Sequence, residues 1–183
     1  MPLSTLDPTP ALLIIDLQKG IVSGSVGHVA PNAAALAKSF RAHDFPVVLV
    51  NVTGRAPGRT DADSRGGRTG TLPAGWADII DELEPQAGDH LITKRRRNAF
   101  HDTGLDTLLR DLGVTQVMLA GVSTSSGVES TARSAHDHGY HVVLATDAMA
   151  DHDPDSHRHS VERVFPKLGE TATSAEIIGF LGR

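Results

Sequence analysis

Ala11-Leu12-Leu13-Ile14-Ile15-Asp16-Leu17 decides the fold. Apart from Asp16 the stretch is continuously apolar, and it is entered through Pro8-Thr9-Pro10. A strand with one wet face would alternate. A continuous run suits a strand covered on both faces, as in a parallel sheet. Val47-Val48-Leu49-Val50-Asn51-Val52 repeats the pattern, as do His90-Leu91-Ile92-Thr93-Lys94, Gln116-Val117-Met118-Leu119-Ala120 and His141-Val142-Val143-Leu144-Ala145.

Helical spacing fills the intervals. Pro31 to His43 sets Ala33, Leu36, Ala37 and Phe40 on one stripe, with Pro31 suited to a helix start. Thr103 to Leu112 groups Leu105, Leu108, Leu109 and Leu112. Ser126 to His138 reads as a helix of small residues ending at Gly139. Further helices are expected over 155–168 and 174–181. Strands alternating with helices predict βαβ units and a three-layer α/β/α, Rossmann-like domain with a mostly parallel sheet, here one domain spanning 1–183. Gly54 to Gly75, rich in Gly, Arg, Thr and Pro, is too long for an ordinary connection; it is expected to be a binding loop or lid, or else a tolerated surface loop.

Composition narrows the chemistry. Of 183 residues, 39% are hydrophobic and 21% charged, ordinary for a globular fold with a core. With Cys at 0, disulfides, thiolate metal sites and thiol nucleophiles are absent. A net charge of −5 and 4% aromatic residues argue against a nucleic-acid partner. No apolar run approaches the roughly 20 residues that span a bilayer. Met1-Pro2-Leu3-Ser4-Thr5 does not begin a signal peptide, so a cytoplasmic protein with no membrane partner is expected.

In open parallel sheets ligands bind beyond the carboxyl ends of the strands, so residues just after each strand are the candidates. Asp16 ends the first strand; a carboxylate in an apolar run must be paired or protonated, or it caps the next loop. Lys94 ends the third. If Asp16 and Lys94 share one crevice, each offsets the other's desolvation, and Asp16 becomes a proton donor beside a fixed positive charge. Lys94 lowers the Asp16 pKa and burial raises it; the sequence leaves that balance open. The following Arg95-Arg96-Arg97 reads as a solvated face.

The fourth strand leads through Ala120-Gly121-Val122 into Ser123-Thr124-Ser125-Ser126-Gly127-Val128-Glu129. A glycine, a hydroxyl-rich turn and a helix start make a cradle of backbone N–H groups around Ser126 and Gly127 for an anion or oxyanion, with Ser125 or Ser126 also capping the helix and Glu129 completing a capping box. Nothing places a histidine beside these serines, so a Ser-His-Asp triad is weakly supported. His152, Asp153, His157 and His159 cluster after the fifth strand without the spacing of a known zinc site, so no metal is expected. One histidine of that loop, His157, is expected in the pocket instead.

Asp16-Leu17-Gln18, Lys94 with Asn98-Ala99-Phe100, and Gly121-Val122-Ser123-Thr124 running into Val128-Glu129-Ser130-Thr131-Ala132-Arg133, in this order, resemble the isochorismatase-like hydrolase superfamily from about Ala11 to Glu176. Gly139-Tyr140, Asp147-Ala148 and Gly169-Glu170-Thr171 extend the likeness. The resemblance implies a six-stranded parallel sheet, assembly into homodimers or larger homo-oligomers, no cofactor, and a non-proline cis peptide at Val122-Ser123. Most members use an Asp-Lys-Cys triad. Asp16 and Lys94 match it, but the nucleophile position is Gly127, which points away from thioester amide chemistry. Isochorismatases also carry glycine there, and hydrolyse a vinyl ether by acid catalysis. Their Tyr-Ala-His-x-Gly turn is replaced here by Ser123-Thr124-Ser125-Ser126-Gly127, which points away from isochorismate itself.

The function expected is therefore hydrolysis of a small polar or anionic metabolite without a thiol. Asp16 is the acid/base, Lys94 its partner, and Gly127 the vacated nucleophile position. Gln18, Val122, Ser123, Ser126, Phe100, Trp76 and His157 are the candidate substrate contacts, Trp76 being equally suited to anchoring its loop. Arginines of the loop (Arg55, Arg59, Arg65 or Arg68) would read substrate charge. Two alternatives stay open: a serine at 123, 125 or 126 as replacement nucleophile, or a chain that only binds a metabolite or partner.

Overall fold

Six strands form one sheet in the order β3-β2-β1-β4-β5-β6, and every pair is parallel. They are β1 (Pro10–Ile15), β2 (Val47–Val52), β3 (His90–Lys94), β4 (Gln116–Val122), β5 (His141–Ala150) and β6 (Glu170–Ala172). The computed structural model describes residues 3–22, 24–54, 58–61 and 71–182.

The continuous apolar runs have the meaning expected of them. Side chains alternate across a strand. Leu12, Ile14, Leu49 and Met118 therefore pack on one face against Ala33, Leu36 and Phe40 of α1 (Ala30–Ala42) and Ile177 and Leu181 of α5 (Ser174–Leu181). Leu13, Ile15, Val48 and Leu119 pack on the other against Leu105 and Leu109 of α2 (Leu105–Asp111) and Ala132 and Ala135 of α3 (Glu129–Asp137). These are the three layers, α/β/α.

Two elements differ from the sequence expectation. β5 runs on to Ala150 because a register shift between Leu119 and Gly121 pairs Gly121 with Met149 and Val122 with Ala150. The single helix expected over 155–168 is instead α4 (Pro154–His159), a π-helical turn (Ser160–Val164) and a 3-10 turn (Phe165–Lys167). Pro166, which has no N–H to donate, sits in that last turn. Among the described residues no helix is long and apolar enough to cross a membrane.

From β1 the chain turns outward to β2 and β3, and from β4 the other way to β5 and β6. The order of strands therefore reverses between β1 and β4. A crevice opens at such a reversal, beyond the carboxyl ends of the strands.

Candidate active site

Asp16 leaves the end of β1 in the left-handed region, φ 53°, which aspartate tolerates better than most side chains. Its N–H donates to the Val50 carbonyl and its own carbonyl accepts from Gln18 N–H, both at 2.8 Å. Gln18 is fully buried and clamps this bend in place. Its Nε2 donates to the carbonyls of Val52 (3.1 Å) and Trp76 (3.2 Å), and its Oε1 accepts from Val52 N–H at 2.7 Å. β4 approaches at Gly121, φ 115°, where a Cβ would lie 2.0 Å from the Ile15 carbonyl oxygen; only glycine fits.

Lys94 ends β3 with its side chain 1% exposed. Its Nζ donates to Asp16 Oδ2 at 2.7 Å and to the Arg96 carbonyl at 3.2 Å. Asp16 Oδ1 is buried with no hydrogen-bond partner. An unpartnered buried oxygen disfavours the charged form. Burial accordingly outweighs the pull of Lys94 and pushes the Asp16 carboxyl up to about 6. The balance that the sequence left open falls on the side of the proton.

The Val122–Ser123 peptide is cis, and the turn that follows, Thr124–Val128, is π-helical. Gly127 faces the pair: a Cβ there would stand 3.2 Å from Asp16 Oδ2 and 3.1 Å from Ile15 Cγ2. Thr131 ties this turn to the loop after Lys94. Its Oγ1 donates to the Gly127 carbonyl at 2.7 Å and accepts from Ala99 N–H at 3.1 Å. Asn98 closes the loop, its Oδ1 accepting from Phe100 N–H at 2.8 Å.

A cavity of about 380 Å³ opens over these groups. Asp16, Lys94, Val122, Ser123, Ser126 and Gly127 all line it, as the sequence expects. Ile21, Val52, Gly54, Gly58 and Thr60 complete its walls. Arg96 and Arg97 line it too, which corrects the reading of that run as a solvated face. The signal was available: the rule that pointed to Lys94 at a strand end extends to the residues just after it.

Four candidate contacts lie elsewhere. Gln18 is consumed by the clamp described above. Trp76 turns its ring onto Gly20, where a Cβ would meet it at 2.1 Å, so it anchors its segment and does not wall the cavity. Phe100 stacks on His138, centroids 4.9 Å apart, and joins the core on the α2–α3 face. His157, on α4, meets Thr124 Oγ1 at 2.8 Å behind the turn, where burial holds its imidazole below the ordinary range against the opposing charge of Asp151. Arg59 is exposed and does not line the cavity, while Arg55, Arg65 and Arg68 lie outside the described residues.

The helix-cap reading also changes. Ser125 N–H and Oγ both donate to Asp151 Oδ2, at 2.8 and 2.7 Å, and Glu129 binds Arg133 and Ser160. α3 starts at Glu129 with no side-chain cap, because the π-helical turn already continues its backbone. Ser126 N–H donates to the Ser123 carbonyl at 3.1 Å and is not free to hold an oxyanion. Among the described residues neither Ser123 nor Ser126 hydroxyl bonds to Asp16 or to a histidine, and no group of three or more His, Asp or Glu could hold a metal ion.

The site can therefore hold and move a proton at the Asp16 carboxyl beside a fixed ammonium. The Isochorismatase domain family matches residues 10–176. The uncharacterized isochorismatase family protein YwoC of Bacillus subtilis is 40% identical over 174 residues, 92% of each chain. Streptothricin hydrolase of Streptomyces noursei is 36% identical over 151 residues, 78% of this chain and 50% of that one. The structure of an isochorismatase family protein from Burkholderia thailandensis superposes with a TM-score of 0.92 at 36% identity, covering 98% of both chains.

Proposed function

The chain belongs to the isochorismatase family, and from that premise we propose that this hydrolase uses no covalent nucleophile: Asp16 delivers a proton to a small vinyl ether and Lys94 holds the charge left behind. Gly127 stands where the resemblance puts the nucleophilic cysteine of most members, and a chain with Cys at 0 has no thiol to substitute. A side chain at this position would begin 3.2 Å from Asp16 Oδ2.

The chemistry closes on one water. Asp16 gives its proton to the enol carbon, whose π electrons form the new C–H bond, and the ether oxygen shares a lone pair to make an oxocarbenium ion. The aspartate now carries a full negative charge, which Lys94 stabilises at 2.7 Å. Water adds to the cationic carbon and returns a proton to Asp16. The hemiketal then breaks its C–O bond, giving a ketone and an alcohol.

The observation that carries this proposal is that Asp16 lines the cavity with Oδ2 held by Lys94 and Oδ1 buried without a partner. A pKa near the operating pH is what a general acid needs. The test is turnover of a vinyl ether, an amide and an ester of one small acid by wild type, Asp16→Asn and Lys94→Ala. Expected is hydrolysis of the vinyl ether, reduced at least about a hundredfold by each substitution. Amide or ester turnover that survives Asp16→Asn and disappears with Ser126→Ala would replace this mechanism with a serine-dependent one. Binding without any turnover would leave a metabolite-binding protein.

A further inference from the structure

We propose that His157 is a positioning residue for the reaction: acting from behind through Thr124, it sets the turn that walls the Asp16 cavity, an inference that rests on that cavity being the active site. Val122, Ser123, Ser126 and Gly127 line the cavity. Thr124 and Ser125, between them in sequence, do not; both reach the chain that follows β5. Thr124 is fully buried, and its hydroxyl meets His157 Nδ1 at 2.8 Å. One residue on, Ser125 N–H and Oγ both donate to Asp151 Oδ2. Past the turn, Ser160 Oγ donates to Glu129 Oε2 at 2.7 Å. Side chains of Asp151, His157 and Ser160 thus grip Ser125, Thr124 and Glu129.

The grip starts from a fixed point. Asp153 caps α4, its side chain accepting from Asp155 N–H and Ser156 N–H, and Asp151 Oδ1 accepts from Asp153 N–H at 3.3 Å. The turn it holds is a single π-helical one, a rare form found frequently at functional sites. Within it the Ser123 carbonyl accepts from both Ser126 N–H and Val128 N–H, at 3.1 and 3.2 Å. Burial holds the His157 imidazole below its ordinary range, so at neutral pH the Thr124 hydroxyl meets an uncharged ring. Without that ring the hydroxyl loses its partner inside the fold, and the turn must shift to find another. Gly127 lies three residues on, where a Cβ would stand 3.2 Å from Asp16 Oδ2, so the shift is felt beside the proton donor. A displacement of about 1 Å can cost about a hundredfold in rate even when its origin is remote.

Two measurements on the full chain test this: kcat/KM for the vinyl ether, and hydrogen exchange of the 124–128 backbone. His157→Phe keeps a ring but no hydrogen bond, and should lower kcat/KM at least about tenfold. It should also speed exchange at 124–128 while leaving β1 protected, which separates local loosening from general loss of stability. His157→Asn, whose amide ends where Nδ1 lies, should recover most of both effects. Thr124→Val, made from the other side of the contact, should match His157→Phe, and the double variant should lose no more than either alone. Undiminished turnover in His157→Phe, unchanged exchange, an Asn variant as impaired as Phe, or additive losses overturns the proposal. If any of these occurs while turnover still depends on Asp16, the role of His157 alone falls. If turnover falls in His157→Phe yet is indifferent to Asp16→Asn, the acid mechanism falls instead. Wild type that leaves the vinyl ether intact ends both.

Discussion

Lys94 Nζ lies 2.7 Å from Asp16 Oδ2 and leaves Asp16 Oδ1 buried without a partner. One carboxylate thus has two unlike oxygens, one pinned by a cation and one buried without a partner. Gly127 places no side chain against the pair; one would begin 3.2 Å from Oδ2.

That environment makes Asp16 a reporter on stability. Its carboxyl sits at about 6 in the fold, above the ordinary 3.8 of an unfolded chain, so the folded state binds its proton more tightly. The stabilisation this confers is complete below 3.8 and is lost as pH rises through about 6, on the order of 3 kcal/mol across the window. Urea unfolding of wild type and Asp16→Asn between pH 4 and 6.5 should show wild type losing stability relative to the variant as pH rises. A constant gap, or one moving the other way, would contradict the assigned environment.

Gln18 acts on the site by holding its backbone. Gln18→Leu fills similar volume but strips the Val52 N–H of its acceptor inside a closed bend. A buried donor left unsatisfied costs about 1–3 kcal/mol. The expected result in urea is a loss in that range together with reduced turnover; a change under about 0.5 kcal/mol would show that the clamp is not needed.

Gly127→Ala separates packing from chemistry. Alanine is favoured over glycine in a helical turn by up to about 1 kcal/mol, which offsets the close approach to Ile15 Cγ2 at 3.1 Å. Thermal unfolding should therefore move little. The methyl group stands against Asp16 Oδ2, however, and kcat/KM for the vinyl ether should fall at least tenfold. Unchanged turnover would mean that the reacting atoms do not occupy this space.

How much of this was legible beforehand depended on the kind of signal. Four strands were readable because double burial leaves an unbroken apolar run; β3, at the sheet edge, has Leu91 and Thr93 exposed and lacks that cover. β6 is only Glu170–Ala172, too short for a pattern, and the sixth strand entered with the family resemblance alone. Asp16 and Lys94 were legible as polar residues at the ends of such runs. Arg96 and Arg97 fell under the same strand-end rule but were misread, because a charge run by itself reads the same whether it faces solvent or a cavity. The cap assigned to Ser125 and Ser126 was misread for a related reason. Local spacing favours a capping box, but Asp151, distant in sequence, takes both Ser125 donors once β5 runs on to Ala150. Gln18 and Phe100 were motif residues whose motif proves architectural: one clamps the bend after β1, the other packs on His138.

The most direct test is where the proton goes. Hydrolysis of a vinyl ether by the wild-type enzyme in D2O, with the ketone read by NMR before it exchanges, should place one deuterium per turnover on the former enol carbon. Asp16→Asn should add nothing above the uncatalysed reaction. A first-turnover ketone without that deuterium, or a covalent adduct on Ser123 or Ser126 in the intact protein mass, would contradict carbon protonation by Asp16.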